Sequence, residues 1–252
     1  MGDRLPWLRL ALEGLVIIAS VLIALAGDAW WGGVQDRRMA TGYYERLLVD
    51  LSADSVELER ALRFNGIYRS AAMEVIDVVE GGSAPPLGLS EVMHRVAWAG
   101  HLFPVAFGRA TFDEMVNAGR FRLIDDPTLS ASLLDYYWKQ QRREDRTLVA
   151  PREFSAIARR WLPAGFTRAA QECLWTEWQG ERRGDAAVSP CRAAVSESAA
   201  EGVLARLRSE PGVIGYLREV VWFADNVEFG LAAQRRLNAR RMEELRRVLA
   251  PE

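Results

Sequence analysis

Apolar residues are spaced differently in different parts of this chain, and the change of spacing predicts its elements. From Leu10 to Ala26 the run is Leu-Ala-Leu-Glu-Gly-Leu-Val-Ile-Ile-Ala-Ser-Val-Leu-Ile-Ala-Leu-Ala, closed by Gly27, Asp28 and the pair Trp30–Trp31. A hydrocarbon slab about 30 Å thick needs roughly 20 largely apolar helical residues, and only this region comes close. From Ala29 to about Val79 the apolar positions thin to a stripe. Tyr44, Leu47, Leu51, Leu58 and Leu62 recur at threes, fours and sevens, the period of an amphipathic helix, or of two in series. Glu45, Asp50, Glu57, Glu59 and Arg60 fall on the opposite face.

Gly81-Gly82-Ser83-Ala84-Pro85-Pro86 breaks the pattern in a loop. Ser90 is placed to cap a helix running to about Ala99. Thr111-Phe-Asp-Glu114 fits a capping box, with a short helix stopping at Gly119, the favoured residue just past a helix end. Asp126-Pro127 fits an N-cap followed by proline at the first helical position. The helix it opens carries Leu129, Leu133, Leu134, Tyr137 and Trp138 on its inner side. Further helices are predicted at Pro151–Leu162, Thr167–Trp178 and Ser196–Leu207. After the break at Glu210-Pro211-Gly212, a stripe of Ile214, Leu217, Val221, Ala224, Leu231, Leu245 and Leu249 marks a last helix over Val213–Leu249, antiparallel to the first long one. No stretch alternates with period two, which predicts an all-α protein.

The N-terminal segment fits three readings. Its strictly uncharged part, Gly14 to Gly27, is short for a span and suits a signal-peptide core or a buried helix. Ala24-Leu25-Ala26 has the small-x-small form of a cleavage site, with Arg4 and Arg9 upstream. A membrane anchor is favoured by Trp7 at one end and Trp30–Trp31 at the other, where amphipathic rings prefer the headgroup zone. Trp7 to Trp31 spans roughly 36 Å of helix. Glu13 lies a turn or two from that boundary, and Arg9, four residues earlier, is placed to pair with it. Trp7, Arg9, Glu13, Trp30 and Trp31 are therefore the expected membrane-interface residues.

The chain has 252 residues, nine Trp and a net charge of −2. That is a globular composition, and it argues against general nucleic-acid binding, which needs a basic surface. The expected division is an N-terminal tip and anchor over 1–31 and a soluble helical domain over 32–252, with possible lobes 32–165 and 166–252. Arg4 and Arg9 on one side nearly balance Arg37, Arg38 and Arg46 on the other, so the positive-inside count leaves the orientation open. The only two cysteines, Cys173 and Cys191, bracket a Gly-, Ser- and charge-rich segment. A disulfide there would contribute about 3 kcal/mol and would persist only outside the cytoplasm. Two unrelated buried thiols are the other possibility.

Candidate chemistry is sparse. Glu91 and His94 stand one turn apart, as half of a di-iron bundle site requires, and His101 follows seven residues later. These are the only histidines, a second Glu-x-x-His is missing, and ordinary surface or capping roles are preferred. No metal or other cofactor is expected. Asp125 and Asp126 are adjacent on a turn, where two carboxylates seldom converge on one substrate. Arg235, Arg236, Arg240, Arg241, Arg246 and Arg247 crowd the last helix, either near lipid headgroups or as a solvated helix end. No P-loop, dinucleotide fingerprint, nucleophile elbow or His-Glu-x-x-His is present.

Two blocks carry a resemblance. Glu13-Gly-Leu-Val-Ile-Ile-Ala-Ser-Val-Leu-Ile-Ala-Leu, Asp28-Ala-Trp30, Arg37-Arg38 and Tyr44-Glu-Arg-Leu-Leu-Val-Asp50-Leu form the first. Thr111-Phe-Asp-Glu-Met-Val-Asn-Ala-Gly119-Arg-Phe-Arg-Leu-Ile-Asp125-Asp-Pro, with Leu129, Leu133 and Tyr136-Tyr137, forms the second. Together they cover under half the chain and resemble an uncharacterised bacterial family of single-pass, membrane-anchored proteins carrying a domain of unknown function. The resemblance implies no catalytic residues.

The resulting expectation is an all-α protein: an N-terminal transmembrane helix continuing into a long-helix extracytoplasmic bundle. Its expected place is the bacterial inner membrane, with the bulk of the chain periplasmic. Its expected role is non-enzymatic, as an interaction, scaffold or sensing module. The expected partners are the lipid bilayer and a protein partner or second copy. The alternatives are a cell-envelope enzyme, hydrolase-like, with a site around Glu91 and His94, and a cytoplasm-facing membrane tether.

Overall fold

The computed structural model describes residues 5–81, 88–101, 105–148, 150–183 and 193–250, with side chains described from residue 10 except at 11, 146–148 and 174–183. Among these residues there are helices and no strands. The helices are α1 (Leu5–Val79), α2 (Leu89–Trp98), α3 (Ala110–Asn117), α4 (Pro127–Leu148), α5 (Glu153–Trp161), α6 (Ala164–Arg183), α7 (Glu197–Ser209) and α8 (Val213–Leu249). A short 3-10 turn, Arg120–Leu123, precedes α4. The chain is all-α, and α1 is one uninterrupted helix of 75 residues.

Two compact units are present, one formed by Met1–Ser52, Gly108–Leu134 and Arg241–Glu252, the other by Ala53–Phe107 and Asp135–Arg240. Helices α1, α4 and α8 contribute to both. The first unit buries Tyr43, Leu47 and Leu51 of α1, Phe112 and Met115 of α3, Leu129 and Leu133 of α4, and Leu245 of α8. Asp126 caps α4 as its sequence predicts, its Oδ1 accepting from the backbone N–H of Thr128 at 2.7 Å and of Leu129 at 3.3 Å. Gly119 ends α3 in the left-handed conformation at φ 66°, which costs other residues strain because a Cβ crowds the backbone there.

The second unit holds the larger core. Ala71, Ala72 and Val75 of α1, Met93 and Val96 of α2, Phe154 of α5, Leu204 and Leu207 of α7, and Leu217 of α8 pack into one cluster. α2 contacts α5, α6 and α7. Within this unit α8 runs antiparallel to α1. Ser55 pairs with Asn238, Glu59 with Arg235, Asn65 with the Ala224 carbonyl and Glu80 with Arg218, so rising numbers on one helix meet falling numbers on the other.

Four local expectations are corrected. Ser90 lies inside α2, behind Gly88 at the cap, and its hydroxyl reaches the Ala193 carbonyl at 3.4 Å. Thr111 does not cap α3, because the helix begins at Ala110 after Arg109. The free N–H of Thr111 is taken instead by the Asp50 carboxylate of α1 at 3.2 Å, a long-range partner doing what a local cap would do. The inner face of α4 is Leu129, Leu133, Tyr136, Tyr137 and Gln140, while Leu134 and Trp138 point outward at 46% and 57% exposure. Arg60 is buried rather than on the polar face of α1, its charge answered one turn away by Glu57.

Gly100 closes α2 directly over α5. A Cβ there would meet the Ser155 Cβ at 2.5 Å and its Cα at 2.7 Å, and backbone cannot yield as a flexible side chain does. Gly100→Ala is therefore expected to destabilise the second unit by about 1–3 kcal/mol, read as a lowered melting temperature of the full chain in mild detergent.

Candidate functional site

From Leu10 onward the first part of α1 carries large apolar side chains that none of the described residues covers. Leu10, Leu12, Leu15, Val16, Ile17, Ile18, Val21, Leu22, Ile23 and Leu25 all stay more than half exposed. Its most apolar 18-residue window has a mean hydropathy of 2.0 and no buried share. The helix is long and apolar enough to cross a membrane, and the lack of burial separates it from a core helix of the same composition. Ser20, the hydroxyl in mid-run, is satisfied by the Val16 carbonyl at 2.6 Å within its own helix, as a polar group in hydrocarbon requires. Trp30 and Trp31 lie exposed at the far end, ring centroids 6.3 Å apart. Glu13 is exposed on the helix. The side chains of Trp7 and Arg9 lie outside the described residues, and so does the proposed Arg9–Glu13 pair.

The Glu91, His94 and His101 set does not come together. Glu91 pairs with Arg95 at 3.1 Å. His94 is buried against the Phe166 ring, centroids 5.0 Å apart, and its Nε2–H donates to the Ala193 carbonyl at 3.2 Å. Burial pushes its pKa below the ordinary value, against the opposing pull of that carbonyl. His101 faces the Tyr68 ring at 6.2 Å, and burial, then the Arg159 charge, lowers its pKa too. Among the described residues no three His, Cys, Asp or Glu side chains are grouped to hold a metal ion. Asp126 is occupied as a cap, and Asp125 and Asp126 together act on Tyr44, whose pKa is raised by burial first and by these two charges second. Cys173 is buried on α6, and Cys191 lies outside the described residues. The arginines of α8 resolve in part into pairs: Arg235 with Glu59, Arg241 with Glu244 and Arg247 with Glu243.

What the periodicity misses is a buried polar layer in the second unit. Asp54 of α1 and Gln140, Gln234 and Asn238 from α4 and α8 are at most 1% exposed. The Asp54 carboxylate accepts from the Tyr136 hydroxyl and from Gln140 Nε2, both at 2.8 Å. Tyr136 also lies 3.2 Å from Asn238 Oδ1, and Asn238 Nδ2 donates to Ser55 Oγ at 2.7 Å. Burial, and then the Asp54 charge, raises the Tyr136 pKa. This phenol keeps its proton and donates it to the carboxylate. Buried in this way, the layer holds α1, α4 and α8 in register.

Two polar clusters do reach the surface. In the first unit Glu114 of α3 accepts from the Tyr43 hydroxyl at 2.8 Å and from Arg46, while Arg120 donates to Tyr43 at 2.8 Å. The hydrogen bonds from Arg46 and then Tyr43 hold the Glu114 carboxyl down from 4.5 to about 2. In the second unit a half-open groove of about 280 Å³ lies between α4 and α8, with Val105, Val227 and Leu231 beside Trp138, Lys139, Arg142 and Arg143. Arg142 stacks over the Trp138 ring at 4.7 Å, Lys139 pairs with Asp135 at 2.7 Å, and Arg143 Nε donates to Gln234 at 3.1 Å. Among the described residues the groove sets three cations and an aromatic wall around an apolar floor. No family model, curated protein or solved structure matches the chain.

Two outcomes follow from this geometry. Tyr136→Phe leaves the Asp54 carboxylate one donor short in the dry interior, an expected loss of about 1–3 kcal/mol, measured by urea unfolding with an unchanged m-value. Glu114 is more acidic in the folded state than in the unfolded, so its contribution is present above about pH 4.5 and disappears as pH falls toward about 2. Glu114→Gln is expected to flatten the fall of melting temperature across that window relative to the natural chain.

Proposed function

We propose that this chain is a single-pass bacterial inner-membrane protein whose helical portion works on the outer side of that membrane as an interaction, scaffold or sensing module. The observation that carries the proposal is the all-round exposure of the apolar side chains between Leu10 and Leu25. Together with Trp30 and Trp31 they cover about 32 Å of helix, matching a hydrocarbon core of about 30 Å. Left in water, that surface would cost roughly 25 cal/mol for each Å²; lipid removes the cost without a protein partner. Continuation of the same helix into both folded units ties anything they bind to the membrane surface.

The extracytoplasmic side is favoured by the cysteines. Cys173 is buried on α6, and the chain has one other cysteine, Cys191. We take these two as a disulfide, which needs an oxidising compartment. A non-enzymatic role is favoured by the fate of the candidate chemistry. Glu91 is engaged with Arg95 and His94 is shut inside the core, so the hydrolase alternative around these two gains no support.

Fractionation of the expressing cell tests the anchor. The full-length chain is expected in the membrane pellet after alkaline carbonate extraction and in the supernatant only with detergent. A chain recovered intact without detergent, or a membrane-free chain shortened at its N-terminus, overturns it. Thiol labelling without reductant, and a C-terminal alkaline phosphatase fusion, read the side separately. Two labelled cysteines with an inactive fusion place the bulk of the chain in the cytoplasm instead.

A further inference from the structure

We propose that the groove between α4 and α8 is a binding site for a small organic anion with a flat apolar body, an aromatic carboxylate being the simplest member of the class. The proposal does not rest on the membrane reading, since every residue lining the groove lies in the second unit.

Three features select that chemistry. Lys139, Arg142 and Arg143 bring three cations to one opening. Asp135 matches Lys139 at 2.7 Å, and the groove lining still carries two arginines and no carboxylate, which favours an anion and disfavours a cation. Val105, Val227 and Leu231 contribute an apolar floor and Trp138 an aromatic wall. A bare inorganic anion would gain nothing from that floor, whereas a flat apolar body buries against it and stacks on the indole. The volume of about 280 Å³ falls just short of the roughly 300–1,000 Å³ of small-molecule sites, which limits the groove to a single compact molecule.

The site is also built, in that one of its cations is held in place before anything binds. Arg143 is tied through Nε to Gln234, whose own amide reaches the Tyr136 carbonyl at 3.5 Å in the buried layer. Its guanidinium lies over Gly230, where a Cβ would collide with Nη1. Glycine in mid-helix is otherwise a cost, and here it makes room for the charge. A guanidinium presents parallel N–H donors that match the two oxygens of a carboxylate.

The test uses the full chain in nanodiscs, titrated calorimetrically with 2-naphthoate and, separately, with the neutral 2-naphthamide, against empty nanodiscs. Saturable one-site binding of naphthoate is expected, with naphthamide weaker by roughly tenfold or more. Arg143→Gln, Arg142→Gln and Trp138→Ala are each expected to weaken naphthoate by roughly tenfold. Arg142 is exposed and outside the buried layer, so its variant reads binding even where Arg143→Gln disturbs the fold. Gly230→Ala is expected to weaken binding while leaving the melting temperature at or above that of the natural chain, an opposition that general destabilisation cannot produce. Equal binding of acid and amide, no saturation up to about 5 mM, or natural affinity in both arginine variants would overturn the proposal.

Discussion

A carboxylate drawn out of water must be met by donors, and in this protein Asp54 is met by Tyr136 and Gln140, side chains one helical turn apart on another helix. Those donors reach it at one register only. Sliding α4 along α1 by a turn would strip a buried charge of these two donors, at a cost of several kcal/mol, whereas an all-apolar layer would tolerate the shift. Asn238 and its bond to Ser55 impose the same condition between α8 and α1. The long helices of the second unit are thus aligned by a small number of directional bonds. The apolar cluster of Ala71, Met93, Phe154 and Leu207 supplies bulk burial, which is non-directional.

Helix α1 combines two solvation problems in one element. Its first part is a largely apolar run whose large side chains, from Leu10 to Leu25, stay more than half exposed. Its later part buries Tyr43, Leu47, Leu51, Leu58, Phe64 and Tyr68 on one side and turns Val49 and Val56 outward. Backbone hydrogen bonds are satisfied inside the helix in either environment, so no break is needed where the surroundings change. Only the side-chain pattern changes, and it does so around Trp30 and Trp31, residues suited to a boundary between apolar and wet surroundings.

Features governed by local rules were legible in the sequence. Val213–Leu249 is bounded by a turn tripeptide and a long apolar stripe, Gly119 is needed for its positive φ, and Asp126 sits directly before a proline. Features decided by distant partners were not. Leu133-Leu134 and Tyr136-Tyr137-Trp138 each offer apolar residues to two helical faces, and the choice fell to Tyr136 because Asp54 needs its hydroxyl. Asp54, Gln140, Gln234 and Asn238 stand at stripe positions but have polar side chains, so periodicity alone counts them as surface. Thr111 lost its expected capping role to Asp50, sixty-one positions away. The groove was hidden for the same reason: with Trp138 assigned inward, Lys139 and Arg142 have no apolar wall beside them. A signal was present in Gly230, an isolated glycine in mid-helix with a close approach to explain it.

The two polar features of the second unit are therefore one construction. The buried layer has strong hydrogen bonds and no access; the groove has access and cations that water would otherwise leave mobile. Gln234 joins them, bonded on one side to the Tyr136 carbonyl and on the other to Arg143. Immobilising a long side chain on binding costs about 0.5–1.5 kcal/mol. For Arg143 much of that ordering is already accomplished by folding, through a layer whose geometry is fixed by the Asp54 carboxylate. A residue that shapes the interior thus also sets the position of a charge at the surface, and that coupling is why Arg143 of α4 stands apart from the exposed arginines of α8.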